Sequence, residues 1–190
     1  LILGVPGCGK SMTAKATASL FQKPLVRLDV GRLLGKYIGE SESNMRDALK
    51  QAEAISPCVL WIDEIEKAFA GGSEHAHEVT VRLIGQFLTW MQEKKSTVFV
   101  VATANNIETL PPEFLRKGRF DEIFSVDLPD WEERVEILKI HLRKVKQSHK
   151  ELNLLACKDI TEHFSGADLR SGVCSALERA FIEGRSTITD

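Results

Sequence analysis

The sequence lacks the patterns typical of a disulfide-bonded or membrane-spanning protein. Its four cysteines, Cys8, Cys58, Cys157 and Cys174, form no C-x-x-C pair. Reduced thiols in a cytosolic-type protein therefore fit better than a disulfide framework. The longest apolar run, residues 98–102, is far too short to span a bilayer, and no signal peptide is visible. We expect no membrane segment in this chain.

The sequence also lacks an excess of basic residues. Its 25 Lys and Arg are balanced by 27 Asp and Glu, which gives a formal net charge of −2. This balance argues against nucleic acid as a partner. The basic run at Arg143, Lys144, Lys146 and Lys150 is predicted to be the exposed face of a helix. A zinc-peptidase motif is excluded, because His77-Glu78 is followed by Val at position 81 instead of a second histidine.

Two motifs that handle nucleotides are present. Residues 4–11 read G-V-P-G-C-G-K-S, which fits the phosphate-binding loop G-x-x-x-x-G-K-[ST]. Backbone N–H groups of such a loop turn toward phosphate oxygens, and the next helix adds its positive N-terminal end. Lys10 is expected to reach the β and γ phosphates, and the Ser11 hydroxyl to ligate Mg²⁺.

The second motif is an apolar strand, residues 58–62, that runs into Asp63 and Glu64. Asp63 is predicted to hold the metal, directly or through water. Glu64 is predicted to orient and deprotonate the attacking water. Together the two motifs predict hydrolysis of a nucleotide. The alternative is a glycine-rich turn and an acid-ended strand that bind no ligand.

Strands and helices alternate along the first two thirds of the chain. Strands are predicted at residues 1–3, 25–29, 58–62, 98–102 and 123–126, and helices at residues 11–20, 41–55 and 79–91. Residues 71–77 are predicted to be a mobile loop. This alternation predicts an α/β fold with a parallel five-stranded sheet covered by helices on both faces. Ligands of such sheets bind at the carboxyl ends of the strands, where both motifs fall.

The pattern changes at Leu128-Pro129. Helices are predicted at residues 131–145, 152–160 and 167–182, and no strand follows. We therefore expect two domains, a nucleotide-binding α/β domain at residues 1–128 and a small all-helical lid at residues 129–190. The chain begins inside an apolar strand, so we expect it to be a fragment of a longer protein.

Further stretches resemble the AAA ATPases, in the clade that carries the second region of homology. These stretches are residues 36–42 (K-Y-I-G-E-S-E), 102–105 (A-T-A-N), 116–121 (R-K-G-R-F-D) and 165–169 (S-G-A-D-L). The resemblance covers essentially the whole chain. Residues 61–69 and 87–94 look most like an AAA protein of cyanobacteria and algal plastids. The resemblance implies a location in the cytoplasm, or in the plastid stroma if the chain is algal.

The resemblance implies roles for residues outside the two motifs. Asn105 matches the sensor that contacts γ-phosphate and water, with Asn106 as the adjacent alternative. Arg116 and Arg119 match arginine fingers that act on the neighbouring subunit's nucleotide. Fingers in trans imply a ring homo-oligomer, a hexamer in this family. The full set of residues expected to bind ATP is Gly4, Pro6, Gly7, Cys8, Gly9, Lys10, Ser11, Met12, His141, Gly166 and Ala167. His141 has the alternative of being merely packed or solvated.

One stretch bears on what ATP hydrolysis would drive. Lys36, Tyr37 and Ile38 resemble the aromatic pore loop with which threading members of the family grip a protein substrate, and residues 71–77 fall where a second pore loop would lie. The alternative for Tyr37 is packing at the start of a helix. The resemblance therefore implies an ATPase that remodels or threads proteins. A slow nucleotide-dependent switch without threading and a DNA-acting machine are the competing hypotheses.

Overall fold

The computed structural model describes residues 1–30, 40–68, 74–116, 118–148 and 152–189. Within them, the chain divides into two compact units by its internal contacts. The first unit comprises Leu1–Gly4 and Lys10–Val126, and the second comprises Val5–Gly9 and Asp127–Asp190. The predicted domain boundary between residues 128 and 129 stays a prediction.

The first unit is built on a parallel sheet. Among the described residues the sheet has five strands, in the spatial order β2-β3-β4-β1-β5, and every neighbouring pair is parallel. The strands are β1 (Ile2–Gly4), β2 (Leu25–Leu28), β3 (Cys58–Ile62), β4 (Val98–Ala104) and β5 (Phe124–Val126). The predicted α/β fold is therefore confirmed.

Helices cover both faces of this sheet. They are α1 (Lys10–Phe21), α2 (Glu40–Ala54) and α3 (Glu74–Glu93). All five residues of β3 are buried, and its side chains alternate between two apolar clusters, as strand geometry requires. Cys58, Leu60 and Ile62 pack with residues of α2 and α3, whereas Val59 and Trp61 pack with residues of α1.

The second unit contains helices α4 (Trp131–Lys144) and α5 (Gly166–Ile182). Leu138 and Leu142 of α4 pack against Leu169 and Val173 of α5. Both helices begin at a capping box, in which the side chain before the helix and an acid three residues later satisfy each other's backbone N–H groups. Asp130 and Glu133 form the first box and Ser165 and Asp168 the second. These caps fix the start of each helix.

Two predicted elements were wrong in extent. The helix predicted at residues 152–160 is a four-residue 3₁₀ helix, Leu154–Cys157, with no side-chain cap at Asn153 and no buried residue. Leu154 packs only partly against the core of this unit, and Leu155 and Ile160 are exposed, so the segment gains too little from packing to extend as a helix. The loop predicted at residues 71–77 was wrong for its last four residues, because α3 begins at Glu74. No Gly or Pro in residues 74–78 stops the helix there.

Candidate active site

The first site residues lie where β1 ends and α1 begins. Lys10 opens α1 and is buried at 6% exposure. Its Nζ donates a hydrogen bond of 2.7 Å to the Gly4 carbonyl. The ammonium group of Lys10 therefore lies at the carboxyl end of β1. Ser11 is the next residue of α1, and its hydroxyl donates a hydrogen bond to Asp63, which directly follows β3.

The loop between Gly4 and Lys10 belongs to the second unit. Gly7 and Gly9 have φ angles of +83° and +90°, which L-residues with a side chain rarely adopt. The Gly7 carbonyl accepts a hydrogen bond of 3.1 Å from the backbone N–H of Ala167. The structure therefore brings the predicted loop residues together with the predicted pair Gly166 and Ala167.

Asp63 receives hydrogen bonds from two hydroxyl groups. Ser11 Oγ donates to Asp63 Oδ1 over 2.9 Å, and Thr103 Oγ1 donates to the same oxygen over 2.8 Å. The other carboxylate oxygen, Oδ2, lies 3.6 Å from Nη2 of Arg27, which is 56% exposed. An exposed pair of this kind contributes little to stability. The geometry places the two predicted metal ligands, Ser11 and Asp63, in direct contact.

Glu64 lies beside the predicted sensor. Its Oε1 accepts a hydrogen bond of 3.3 Å from Asn105 Nδ2. The same Asn105 Nδ2 donates over 2.7 Å to Oε1 of Glu66, which also accepts the Asn105 backbone N–H over 3.0 Å. Glu66 is 8% exposed, and its Oε2 is buried without a hydrogen-bond partner among the described residues. The buried Glu66 thus holds the Asn105 carboxamide next to Glu64.

The second carboxylate oxygen of Glu64 pairs with Lys67, on the 3₁₀ helix Ile65–Ala68. The hydrogen bond to Glu64 raises the pKa of Lys67. The Glu64 side chain is 37% exposed, so water reaches it. An acid that water can reach therefore lies beside the Asn105 carboxamide and directly after the acid that the Ser11 hydroxyl contacts.

Comparison with known proteins identifies the family of this chain. A family profile, "ATPase family associated with various cellular activities (AAA)", matches residues 1–128. The chain belongs to the AAA family. The family predicted from the sequence is therefore confirmed.

Several AAA relatives match over the whole chain. A protein of Guillardia theta named "Uncharacterized AAA domain-containing protein ycf46" is 50% identical over 193 residues, which cover 100% of this chain and 38% of that protein. A Pyropia yezoensis protein of the same name is 49% identical, covering 100% and 39%. The proteasome-activating nucleotidase of Pyrococcus abyssi is 35% identical over 196 residues, covering 100% and 48%. The chain thus spans less than half the length of these relatives. The match to the ycf46 proteins confirms the predicted resemblance to an AAA protein of algal plastids.

The predicted arginine fingers and the alternative sensor residue differ in exposure and in contacts. Arg116 is exposed, directly after the 3₁₀ helix Pro112–Leu115. Arg119 is half-buried, and its Nη1 is buried with no hydrogen-bond partner in the described part of the chain. Asn106, the alternative sensor, is exposed, and its side chain accepts the Glu108 backbone N–H. Asn105 alone of the two contacts Glu64.

The remaining predicted nucleotide contacts differ in exposure. Pro6 is exposed, Cys8 is half-buried, and Met12 is 64% exposed. His141 is half-buried on α4, and burial lowers its pKa, with Lys144 and Arg170 adding to the effect. A lowered pKa keeps the imidazole neutral at pH 7, which suits contact with an uncharged sugar or base.

Some predictions cannot be placed. Lys36, Tyr37 and Ile38 lie outside the described residues, as do residues 71–73 of the second predicted pore loop, and residues 74–77 of that loop are helical. Within the described ranges, no helix is long and apolar enough to cross a membrane. The same part of the chain contains no cluster of three or more His, Cys, Asp or Glu that could hold a metal ion. The two predicted metal ligands, Ser11 and Asp63, form the hydroxyl–carboxylate pair described above.

Sequence reasoning missed Thr103, Glu66 and Arg27. Thr103 sits at the end of an apolar strand, where a polar side chain is itself a signal of function at the carboxyl edge of a sheet. Glu66 follows Asp63 and Glu64 closely, and three acids within four residues are also a usable signal. Arg27 gives no such signal, because only the pairing of Arg27 with Trp61 in neighbouring strands brings it near Asp63.

Proposed function

We propose that this AAA module binds ATP with Mg²⁺ and hydrolyses it to ADP and phosphate. The observation that carries the proposal is the contact of the Ser11 hydroxyl with the Asp63 carboxylate at 2.9 Å, beside a Glu64 that Asn105 contacts at 3.3 Å. The Ser11–Asp63 pair would bind the cation. The Glu64–Asn105 pair would bind the attacking water molecule.

The residues present fit Mg²⁺. This ion prefers hard oxygen ligands, keeps several waters and binds through one or two carboxylates and the substrate's phosphates. Ser11 Oγ and the Asp63 carboxylate are such ligands, and both lie at the carboxyl edge of the sheet. When bound, Mg²⁺ would neutralise charge on the phosphate oxygens and orient them.

The chain's own residues supply the other parts of the reaction. The Lys10 ammonium binds phosphate oxygens in the ground state. Glu64 takes a proton from the attacking water while the water oxygen forms a bond to the γ-phosphorus. The bond between that phosphorus and the bridging oxygen breaks, and ADP leaves with this oxygen. Asn105 holds the water in line and contacts the γ-phosphate. Glu66 keeps the Asn105 carboxamide turned toward Glu64.

The test of hydrolysis compares three proteins. Phosphate release and equilibrium ATP binding are measured for wild type, Lys10→Ala and the isosteric Glu64→Gln. We expect Lys10→Ala to lose most ATP binding, because it contacts phosphates before any bond changes. We expect Glu64→Gln to bind ATP as wild type does and to release phosphate at least about a hundredfold more slowly. If Glu64→Gln lost affinity as badly as Lys10→Ala, the roles would be assigned wrongly.

We further propose that the hydrolysis cycle remodels or threads a protein substrate in a ring homo-oligomer, of six subunits as in the family. One feature supports a ring and another supports a protein substrate. Arg119 has a buried guanidinium nitrogen without a partner in the described part of the chain, and Arg116 is exposed beside it in sequence. In addition, one relative at 35% identity is named a proteasome-activating nucleotidase. A location in the cytoplasm or an algal plastid stroma stays a prediction.

Action in trans is tested by mixing variants in the assembled full-length protein. Arg116→Ala or Arg119→Ala should bind ATP and lose turnover by about 10³–10⁵. Mixing either variant with Lys10→Ala should restore some turnover, because some interfaces then combine an intact pocket with an intact finger. No recovery at any ratio, with mixed rings confirmed by native mass spectrometry, would refute action in trans.

The second candidate function is a slow nucleotide-dependent switch that threads nothing. Tyr37 discriminates the two functions. Tyr37→Ala should keep ATP turnover within a few-fold and abolish substrate unfolding, whereas Tyr37→Phe should keep both, because the ring area makes the contact. Unchanged unfolding by Tyr37→Ala would favour the switch. The DNA-acting alternative is disfavoured by the net charge of −2.

A further inference from the structure

Thr103 contacts both acids of the site. It lies on β4, between β3 and β1 in the sheet, and its exposure is 0%. Its hydroxyl donates to Asp63 Oδ1 over 2.8 Å and accepts the backbone N–H of Glu64 over 3.0 Å. One buried hydroxyl group thus makes a hydrogen bond to each of the two consecutive acids.

The bond to Asp63 fixes one carboxylate oxygen. Oδ1 accepts from Thr103 and from Ser11 at the same time, so the carboxylate plane is set by donors from two different elements, α1 and β4. Hydrogen bonds from neutral donors to a carboxylate are stronger than those between neutral groups. Without Thr103, Ser11 would be the remaining described donor to that oxygen, and the exposed Arg27 at 3.6 Å from Oδ2 would restrain the carboxylate only weakly.

The bond from Glu64 acts on the backbone. Glu64 has a φ angle of +49°, in the left-handed region that costs an ordinary residue roughly 1–2 kcal/mol. Such a conformation persists only where its surroundings hold it. The hydrogen bond from the Glu64 N–H to Thr103 Oγ1 is one such constraint. It turns the Glu64 peptide so that the side chain leaves β3 toward Asn105.

We propose that Thr103 is a positioning residue for hydrolysis, which holds Asp63 in place to bind Mg²⁺ and Glu64 in place to activate water. This inference rests on the proposed function of the same site. It assigns to one hydroxyl the alignment of the metal ligand with the general base. The hydrogen bonds of the Thr103 hydroxyl join it to Asp63 and Glu64, so we expect its loss to act on the metal ligand and the base and to leave phosphate binding without metal largely unchanged.

The test distinguishes the contribution of the Thr103 hydroxyl from that of its methyl group. Thr103→Val keeps the volume and removes the hydroxyl, and Thr103→Ser keeps the hydroxyl and removes the methyl. We expect Thr103→Val to lower kcat by about a hundredfold, because misplacement of a reacting group by about 1 Å has an effect of that size. Thr103→Ser should stay within about threefold of wild type. Affinity for ATP without Mg²⁺, measured by titration calorimetry, should change less than about twofold in both, whereas Mg²⁺-dependent affinity should fall in Thr103→Val alone.

Two results would overturn the inference. One is a Thr103→Val protein with kcat and Mg²⁺-dependent affinity within about threefold of wild type. The other is a Thr103→Ser protein that loses as much as Thr103→Val, since packing of the methyl group would then explain the loss. Thermal unfolding is measured for each variant. Where Thr103→Val does not fold, Thr103→Ala against Thr103→Ser makes the same comparison, because these two differ only in the hydroxyl.

Failure of the proposed function is a separate outcome. A wild-type protein that binds Mg²⁺ and ATP but cleaves nothing would contradict hydrolysis. The Mg²⁺-dependent affinities would still decide the role of Thr103 at the metal site. A loss confined to the variants without the hydroxyl would support it, and equal affinities would refute it.

Discussion

Substitution of Gly7 tests the contact between the phosphate loop and the start of α5. A Cβ atom built on Gly7 would lie 2.6 Å from Ser165 Oγ and 2.9 Å from Ala167 Cβ, whereas a Cβ on Gly9 would meet nothing within 4 Å. Both glycines have positive φ angles. Gly9→Ala is therefore a matched control that carries the backbone strain of Gly7→Ala without its clash.

The loss of stability in Gly7→Ala is the sum of the backbone strain and the steric clash. Left-handed backbone costs an alanine roughly 1–2 kcal/mol at either position. At Gly7 the neighbours cannot yield easily, because Ser165 is 5% exposed and is held in a capping box, so overpacking adds about 1–3 kcal/mol. Since 1 kcal/mol shifts the melting temperature of a chain of this size by about 2–4 °C, Gly7→Ala should melt about 2–12 °C below Gly9→Ala.

Differential scanning calorimetry without nucleotide measures this difference. A coupled variant sharpens the test: Ala167→Gly removes the Cβ at 2.9 Å, so Gly7→Ala should destabilise the protein less in that background. Equal melting temperatures for Gly7→Ala and Gly9→Ala, with no coupling to Ala167, would refute the packing of the loop against α5.

Three further predictions concern side chains around the site. Glu66→Ala should lower kcat about tenfold or more, because Asn105 loses the acceptor of two hydrogen bonds, and Glu66→Gln, which keeps an acceptor oxygen, should retain more turnover. Lys67→Met should change kcat by less than about fivefold, because its pairing with Glu64 is exposed; a larger loss would make Lys67 part of the mechanism. Because the pKa of His141 is lowered in the folded state, the unfolded chain binds more protons than the folded one near the ordinary value of 6.5, so stability falls as the pH drops through that range. Calorimetry across that range should find a smaller fall in His141→Gln.

The sequence predicted the elements whose signals are local. The strand at residues 58–62 has the same bounds in the structure, because a short apolar run between polar flanks has few other ways to be buried. The phosphate loop and the two acids were predicted for the same reason, since each motif is contiguous. The contact between Ser11 and Asp63 follows once both are placed at the carboxyl edge of one parallel sheet.

The residues that were missed depend on pairing between distant parts of the chain. Thr103 reaches Asp63 only because the register pairs Ile62 with Ala102, and a shift of one residue would turn its hydroxyl to the other face. Glu66 is buried because a 3₁₀ helix follows the strand and carries it under Asn105. The three acids within residues 63–66 are a signal of a functional site, but the local pattern does not show that Glu66 is buried against Asn105.

The most direct test of the account is single-turnover cleavage of ATP. Purified protein, in excess over γ-labelled ATP and above its dissociation constant, is mixed with Mg²⁺ and quenched over time. We predict that wild type converts the bound ATP to labelled phosphate and that Glu64→Gln, with the same ATP bound, is slower by at least about a hundredfold, the contribution expected of a general base. ATP left intact by wild type, or cleaved equally fast by both proteins, would contradict the assignment of this site as a Glu64-dependent ATPase.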